Sequence, residues 1–243
     1  MKNIFIFGNE YSSSDTSKWA TTLRVAYGYS VQNYSVDGSS LHYTINKIID
    51  CVNKGQISES DTIVVSVSSC KRSPIISETL MNPKFAIHYS PELLVIDANE
   101  SRPSIRTTDI LKRKGLLELQ HYREFFDYYK GYYMNYGIRQ IIAERFYMLN
   151  FLKNLPNKVI LLRENDNILF DWTHRTLTQQ DTDDIHAATV RLFGDADENF
   201  VLTNVVFNDN FRNICTKTAT SKQQYDQENN TLASIIAQLI SKK

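Results

Sequence analysis

The groups in this chain that can carry chemistry are hydroxyls, carboxylates and a few imidazoles, and they gather where apolar runs end. The run Asn3 to Phe7 stops at Gly8-Asn9-Glu10-Tyr11-Ser12-Ser13. A second run stops at Asn33-Tyr34-Ser35-Val36-Asp37-Gly38-Ser39-Ser40, and a third at Ser68-Ser69-Cys70-Lys71-Arg72. A hydroxyl beside an imidazole suits acyl transfer, in which histidine takes the hydroxyl proton and a carboxylate orients the ring. Ser12 and Ser13 are the candidate hydroxyls. Asp171-Trp172-Thr173-His174 has the Asp-x-x-His spacing, read either as base and orienter (Asp171, His174) or as a polar turn. Glu10 with Asp37 makes a carboxylate pair for acid/base or cation chemistry, weighed against aspartate's ordinary place in turns. His42 either faces the same space or serves the helix end or surface. His186 reads as an ordinary helix residue, and His88 and His121 carry no spacing signal.

Other chemistry has no sequence support. The chain holds no G-x-x-x-x-G-K-[ST], no G-x-G-x-x-G and no H-E-x-x-H. Cys51, Cys70 and Cys215 stand far apart, without zinc spacing or an even count, so neither a metal, a cofactor nor a disulfide framework is expected. That usage fits a reducing compartment. Lysine plus arginine equals aspartate plus glutamate, 27 of each, and the compact basic runs, Lys71-Arg72 and Lys112-Arg113-Lys114 among them, are short. A nucleic-acid partner is therefore not expected. No apolar stretch approaches the roughly 18 residues that a membrane helix needs, and the run Ile4 to Phe7 is too short for a secretory segment. The expectation is a protein without signal peptide or membrane span, cytoplasmic or virion-associated.

The elements that must position these loops follow from periodicity. Asn3 to Phe7, Val31 to Val36, Asp61 to Val67, Lys158 to Leu162 and Phe200 to Phe207 read as strands, with a short further one at Leu93 to Ile96. Helical patterns cover Lys18 to Tyr27 (Trp19, Leu23 and Ala26 inward), Leu41 to Val52 (Ile45, Ile48, Ile49 and Val52 inward), 181 to 193, and Thr231 to Ile240 (Leu232, Ile235, Ile236 and Leu239 inward). Asp15, Thr16 or Ser17 is expected to cap the first helix. Residues 73 to 109 hold four of the five prolines and read mostly as loop. Continuous apolar strands alternating with helices predict a three-layer α/β/α sandwich with a parallel sheet of about five strands. One domain, 1–243, with a helical, tyrosine-rich insertion around 111–155, is the simplest organisation. Ligands of such sheets bind beyond the carboxyl ends of the strands, where the three polar loops fall.

In that order and spacing the three loops resemble the SGNH (GDSL-type) hydrolases, a flavodoxin-like family. Its first block runs from a strand into Gly-Asp-Ser, its second is an Asn-Tyr-Ser-x-Pro-Gly-like turn, and its third follows an apolar strand and supplies an asparagine. Trp19 at the start of the first helix adds to the likeness, which covers residues 3 to 72. The resemblance implies that Gly38 is the oxyanion-hole glycine and that Asn9, Glu10, Ser39, Ser69 and Arg72 line the cleft. The departures bear on activity: Glu10 stands at the nucleophile position, Asn9 replaces the aspartate beside it, and Ser69 or Cys70 falls near the asparagine. The family's Asp-x-x-His pair precedes its last helix, whereas Ser221 to Ile240 has no histidine and Asp171/His174 comes before the fifth strand.

Residues 121 to 147 carry rings on most faces of a helical pattern, Tyr128, Tyr132, Tyr133 and Tyr136 among them. Tyrosine suits surfaces where a ring is buried and its hydroxyl stays wet. A protein partner, a homo-oligomer contact or a carbohydrate-stacking platform is one reading, and a core helix under the 73–109 loop is the other. The leading expectation is a catalytically degenerate member of the resembled family acting as a binding or structural component. Such degenerate relatives occur in tailed bacteriophages, and the Lys/Asn/Ile-rich composition is compatible with that source. The alternative is an active esterase or carbohydrate O-deacylase using Ser12 or Ser13 with His174.

Overall fold

The computed structural model describes residues 3–9, 12, 18–36, 39–68, 70, 72–74, 95–97, 138–163, 167–170, 176–195, 197–206 and 222–241. The strands are β1 (Asn3–Phe7), β2 (Ser30–Asn33), β3 (Thr62–Val67), β4 (Arg72–Pro74), β5 (Val95–Asp97), β6 (Lys158–Arg163) and β7 (Phe200–Val206). The helices are α1 (Trp19–Tyr27), α2 (Leu41–Asn53), α3 (Ile138–Lys153), α4 (Gln179–Phe193) and α5 (Lys222–Ser241).

Five strands form one all-parallel sheet in the order β2-β1-β3-β6-β7. Every residue of β3, its central strand, is buried. Parallel strands need covering on both faces, and the alternation of their side chains divides the core accordingly. Phe5, Phe7, Ile63, Val65, Val159 and Leu161 face one way, against α2, α3 and α4. Ile4, Ile6, Val64, Ile160 and Leu162 face the other, against α1 and α5. The result is the expected three-layer α/β arrangement, with the sheet changing winding direction between β1 and β3. The polar loops leave at its carboxyl edge.

Several local expectations need correction. Ala26 is exposed, as is the whole of 24–28, so the last turn of α1 runs past the layer beneath it and Ala20 joins Trp19 and Leu23 in the core. On α2, Val52 is exposed and Cys51 points inward, because the buried stripe advances in steps of three. In α5, Leu232, Ala233, Ile236, Ala237 and Ile240 form the inward face, with Leu239 at its margin, and the helix begins at Lys222 rather than Thr231. Arg72–Pro74 pairs antiparallel with Val95–Asp97, so the proline-rich stretch begins and continues with strand pairing. Only 138–155 of the expected 111–155 helical region is among the described residues. No described helix is long and apolar enough to cross a membrane.

The cap of α1 also differs. Lys18 occupies the N-cap position and makes no side-chain cap. The backbone N–H groups of Lys18 and Trp19 both donate to Asn229 Oδ1 of α5, at 2.9 Å each. A helix start leaves several N–H groups without intrahelical acceptors, and here a buried amide from the neighbouring helix takes two of them. One side chain thus caps α1 and fixes its register on α5. Asn229→Ala is expected to cost about 2 kcal/mol, since it removes the shared acceptor of one buried and one partly buried donor. Urea unfolding measures this, and an unchanged midpoint would refute the capping role.

Candidate functional site

The three polar loops meet at the carboxyl edge of β1, β2 and β3. β1 ends in Gly8, whose φ is +141°. A Cβ on Gly8 would lie 2.5 Å from Ser66 Cβ and 2.7 Å from the Ser66 carbonyl oxygen. No side chain fits there, so glycine sets how closely the first turn approaches β3. Asn9 follows, fully buried, and its Oδ1 accepts from Ser66 Oγ at 2.9 Å. The turn then closes on itself, with Ser12 N–H donating to the Asn9 carbonyl at 3.0 Å.

The second loop is stitched onto the first. The Gly8 carbonyl accepts from Val36 N–H at 2.9 Å and from Ser39 Oγ at 2.7 Å. Asn33 Nδ2 donates to the Ser12 carbonyl at 2.7 Å, while Asn33 Oδ1 accepts from Ser35 N–H at 2.9 Å. This asparagine opens a local turn after β2, while the Tyr34 and Val36 N–H groups still donate to the Ile6 and Gly8 carbonyls, so bonding to the end of β1 runs on to the expected Val36. Tyr34 stacks on Phe7 at 5.4 Å between ring centroids and roofs the apolar layer beside α2. Ser40 caps α2, accepting from Tyr43 N–H at 3.3 Å. His42 therefore is not the cap.

The candidate residues fall into three groups. Asn9 and Ser39 are fully buried and their side chains are committed within the turn. Ser12 is also fully buried, and its hydroxyl has no hydrogen-bond partner among the described residues. Arg72 lies in β4, its backbone paired with Asp97. Glu10, Ser13, Gly38, Ser69, Asp171, His174, Tyr128, Tyr132, Tyr133 and Tyr136, together with Asp37, lie outside the described residues. Of the aromatic stretch, Phe146 and Tyr147 are described: Phe146 packs under Arg191, 5.4 Å from the guanidinium carbon, and Tyr147 is 70% exposed. His186 is an exposed residue of α4. Among the described residues no group of acidic, histidine and cysteine side chains is arranged to hold a metal ion.

Two further groups come to this edge from the helices. His42, in the first turn of α2, places Nε2 3.8 Å from Glu144 Oε2 of α3, and its buried Nδ1 has no partner. Burial pushes its pKa down; the Glu144 carboxylate pushes back up and the Arg145 guanidinium down, and the lowering prevails. Arg145 is 5% exposed. Its Nε and Nη2 donate to the Ile168 carbonyl at 3.0 and 2.7 Å, and Nη2 also donates to the Ser68 carbonyl at 2.9 Å. It thereby ties α3 to the loops that leave β3 and β6. Ser68 is 1% exposed, and its hydroxyl has no partner.

Sequence reasoning set Asn33 and Ser68 in the polar loops without giving either a role, and it passed over Arg145 and the partner of Ser66. Arg145 had a legible signal, because it falls on the stripe of Ile138, Ile141, Ile142, Leu149 and Leu152, where a charge is out of place on a core face. Ser66 had none, since a serine inside an apolar strand does not reveal which turn it meets.

No family model matches this chain, and no curated protein matches it.

Gly8→Ala is expected to destabilise the fold by roughly 3 kcal/mol, from backbone strain and overpacking against Ser66; an unshifted urea midpoint would contradict the close approach. A depressed His42 pKa means that the unfolded chain binds its proton first. Stability from this group is therefore fully present above the unfolded value of about 6.5 and is lost as pH falls below it. Wild type is expected to lose more stability than His42→Gln between neutral pH and pH about 5, and parallel profiles would refute the assignment.

Proposed function

We propose that this chain is a catalytically degenerate SGNH-hydrolase-like protein that works as a binding or structural component. Three things support the reading. The five parallel strands, counted along the chain, lie in the spatial order 2-1-3-4-5, one of the two common doubly wound arrangements. The loops that resemble the family's blocks meet at one edge of that sheet. The sequence places a carboxylate, Glu10, where the family places its nucleophile.

The observation that carries the reading is how the first turn uses its polar groups. An acyl-transfer nucleophile must be reachable by substrate and within hydrogen-bond distance of a base. Asn9 is spent on Ser66 and Ser39 on Gly8, while the Ser12 hydroxyl is sealed at 0% exposure without a hydrogen-bond partner among the described residues. Those commitments give a rigid rim, which suits holding a ligand or partner. The tyrosine-rich segment 121–147 supplies rings suited to a protein contact, and a virion is one setting for such a component.

The test is hydrolysis of p-nitrophenyl acetate by the pure full chain, alongside its mass in solution by light scattering. The expected result is no turnover above buffer and a mass greater than one chain, or a stable complex with a protein from the native source. Turnover that disappears in Ser12→Ala, Ser13→Ala or His174→Ala would overturn the reading in favour of an esterase or carbohydrate O-deacylase. A strictly monomeric chain without a partner would remove the structural role.

A further inference from the structure

β2 stands at one lateral edge of the five-stranded sheet, with β1 on one side of it only. The bonds just beyond the strand show which way its backbone groups point. The Tyr34 and Val36 N–H groups donate to the Ile6 and Gly8 carbonyls of the first strand and turn. Backbone groups alternate sides along a strand. Gln32, in step with Tyr34, therefore turns its N–H and C=O toward β1, and Val31 and Asn33 turn theirs outward. Among the described residues none of these four outward groups has a backbone partner. The next outward donor, Ser35 N–H, is already taken by Asn33 Oδ1 at 2.9 Å. The open part of the edge is thus Val31 and Asn33, placed symmetrically about Gln32.

This edge lacks the usual defences. An exposed strand edge is ordinarily blunted by charged side chains, by proline or by a bulge. From Val25 to Val36 the chain has neither a charged residue nor a proline, and the pairing of β2 with β1 runs in unbroken register. Gln32 is exposed. α1 packs on β2, and residues 24–28 at its end are all exposed, Val25 at 75% and Tyr27 at 42%. The Tyr27 ring stacks on Tyr29, 6.5 Å between centroids, which extends an apolar ledge from the helix toward the strand.

We propose that β2 pairs antiparallel with β2 of a second copy of this chain, about a twofold axis through Gln32, joining two five-stranded sheets into one. In that register Val31 lies opposite the partner's Asn33, and the two residues exchange both N–H···O bonds as a closely spaced antiparallel pair does. The symmetry repeats the exchange, so every outward group of Val31 and Asn33 is used. Gln32 meets the partner's Gln32, and an amide with both donor and acceptor is complementary to itself. The axis is normal to the sheet, so both α1 helices fall on the same side. The ledges carrying Val25 and Tyr27 then supply the apolar area that a few backbone bonds lack. The absence of charge from Val25 to Val36 matters most here, because a twofold sets each residue of the strand near its own copy, and like charges would repel. A strand of another protein could take the same hydrogen bonds, but only a copy brings the matching uncharged edge and ledge.

Sedimentation velocity and light scattering of the pure full chain test this. A mass of two chains is expected. Gln32→Lys and Gln32→Glu each set like charges across the axis and are expected to weaken the dimer about tenfold or more, with unchanged melting of the monomer. Mixing the two variants sets opposite charges face to face and is expected to restore the dimer, which no other surface would explain. Val31→Pro, which removes an outward N–H but no bond to β1, is expected to give monomer as well. A mass of one chain at every concentration, a dimer indifferent to both Gln32 variants, or a mixture that stays monomeric would overturn the interface. A monomer that binds a different protein overturns it while leaving the binding role proposed above intact, and ester turnover by an intact dimer does the reverse.

Discussion

The approach of Gly8 to Ser66 governs the carboxyl edge of this molecule. With no Cβ at Gly8, the end of β1 lies against the backbone of β3 more closely than any side chain permits. That contact puts the Asn9 amide within reach of the Ser66 hydroxyl. It also leaves the Gly8 carbonyl open toward the second loop, where Val36 N–H and Ser39 Oγ converge on it. The Ser39 bond in turn places Ser40, the cap of α2. A single backbone position thus fixes the first turn, the second loop and the start of the helix that follows.

The opposite side of the edge is organised by a charge. Arg145 reaches from α3 to two loops, one after β3 and one after β6, and holds both by their carbonyls. A neutral side chain of the same reach would satisfy those carbonyls at lower desolvation cost. Retaining a guanidinium makes sense where positive potential is itself useful. Its influence extends to His42, whose pKa it helps to lower. The imidazole therefore favours its neutral form, and its 3.8 Å approach to Glu144 is better described as a polar contact than as an ion pair at neutral pH.

How much of this was legible in the sequence depends on the range of the interaction. The strands were readable because each is a short, nearly continuous apolar run, and Thr62–Val67 announces a strand buried on both faces. Helix interiors were readable where the stripe was regular, as in α2 up to Ile48. Boundaries failed where a distant residue decided them. The cap of α1 comes from Asn229, more than two hundred residues away. The loops at the carboxyl edge were located correctly, since their position follows from the strands, but side-chain commitments within them were invisible. Asn9 in sequence is a polar loop residue; only folding shows that its amide is enclosed by Ser66.

Those commitments bear on what such an edge can do. Turnover needs groups whose hydrogen-bonding capacity is poised for a reacting atom, and a turn that satisfies its own donors and acceptors has little left to offer one. Binding has the opposite requirement, because a rim that does not rearrange loses less entropy when a ligand arrives. Among the described residues Asn9, Asn33 and Ser39 are consumed internally around Gly8, whereas the buried hydroxyls of Ser12 and Ser68 have no partner there. The buried charge of this edge stands on α3, where Arg145 holds the loops after β3 and β6 by their carbonyls.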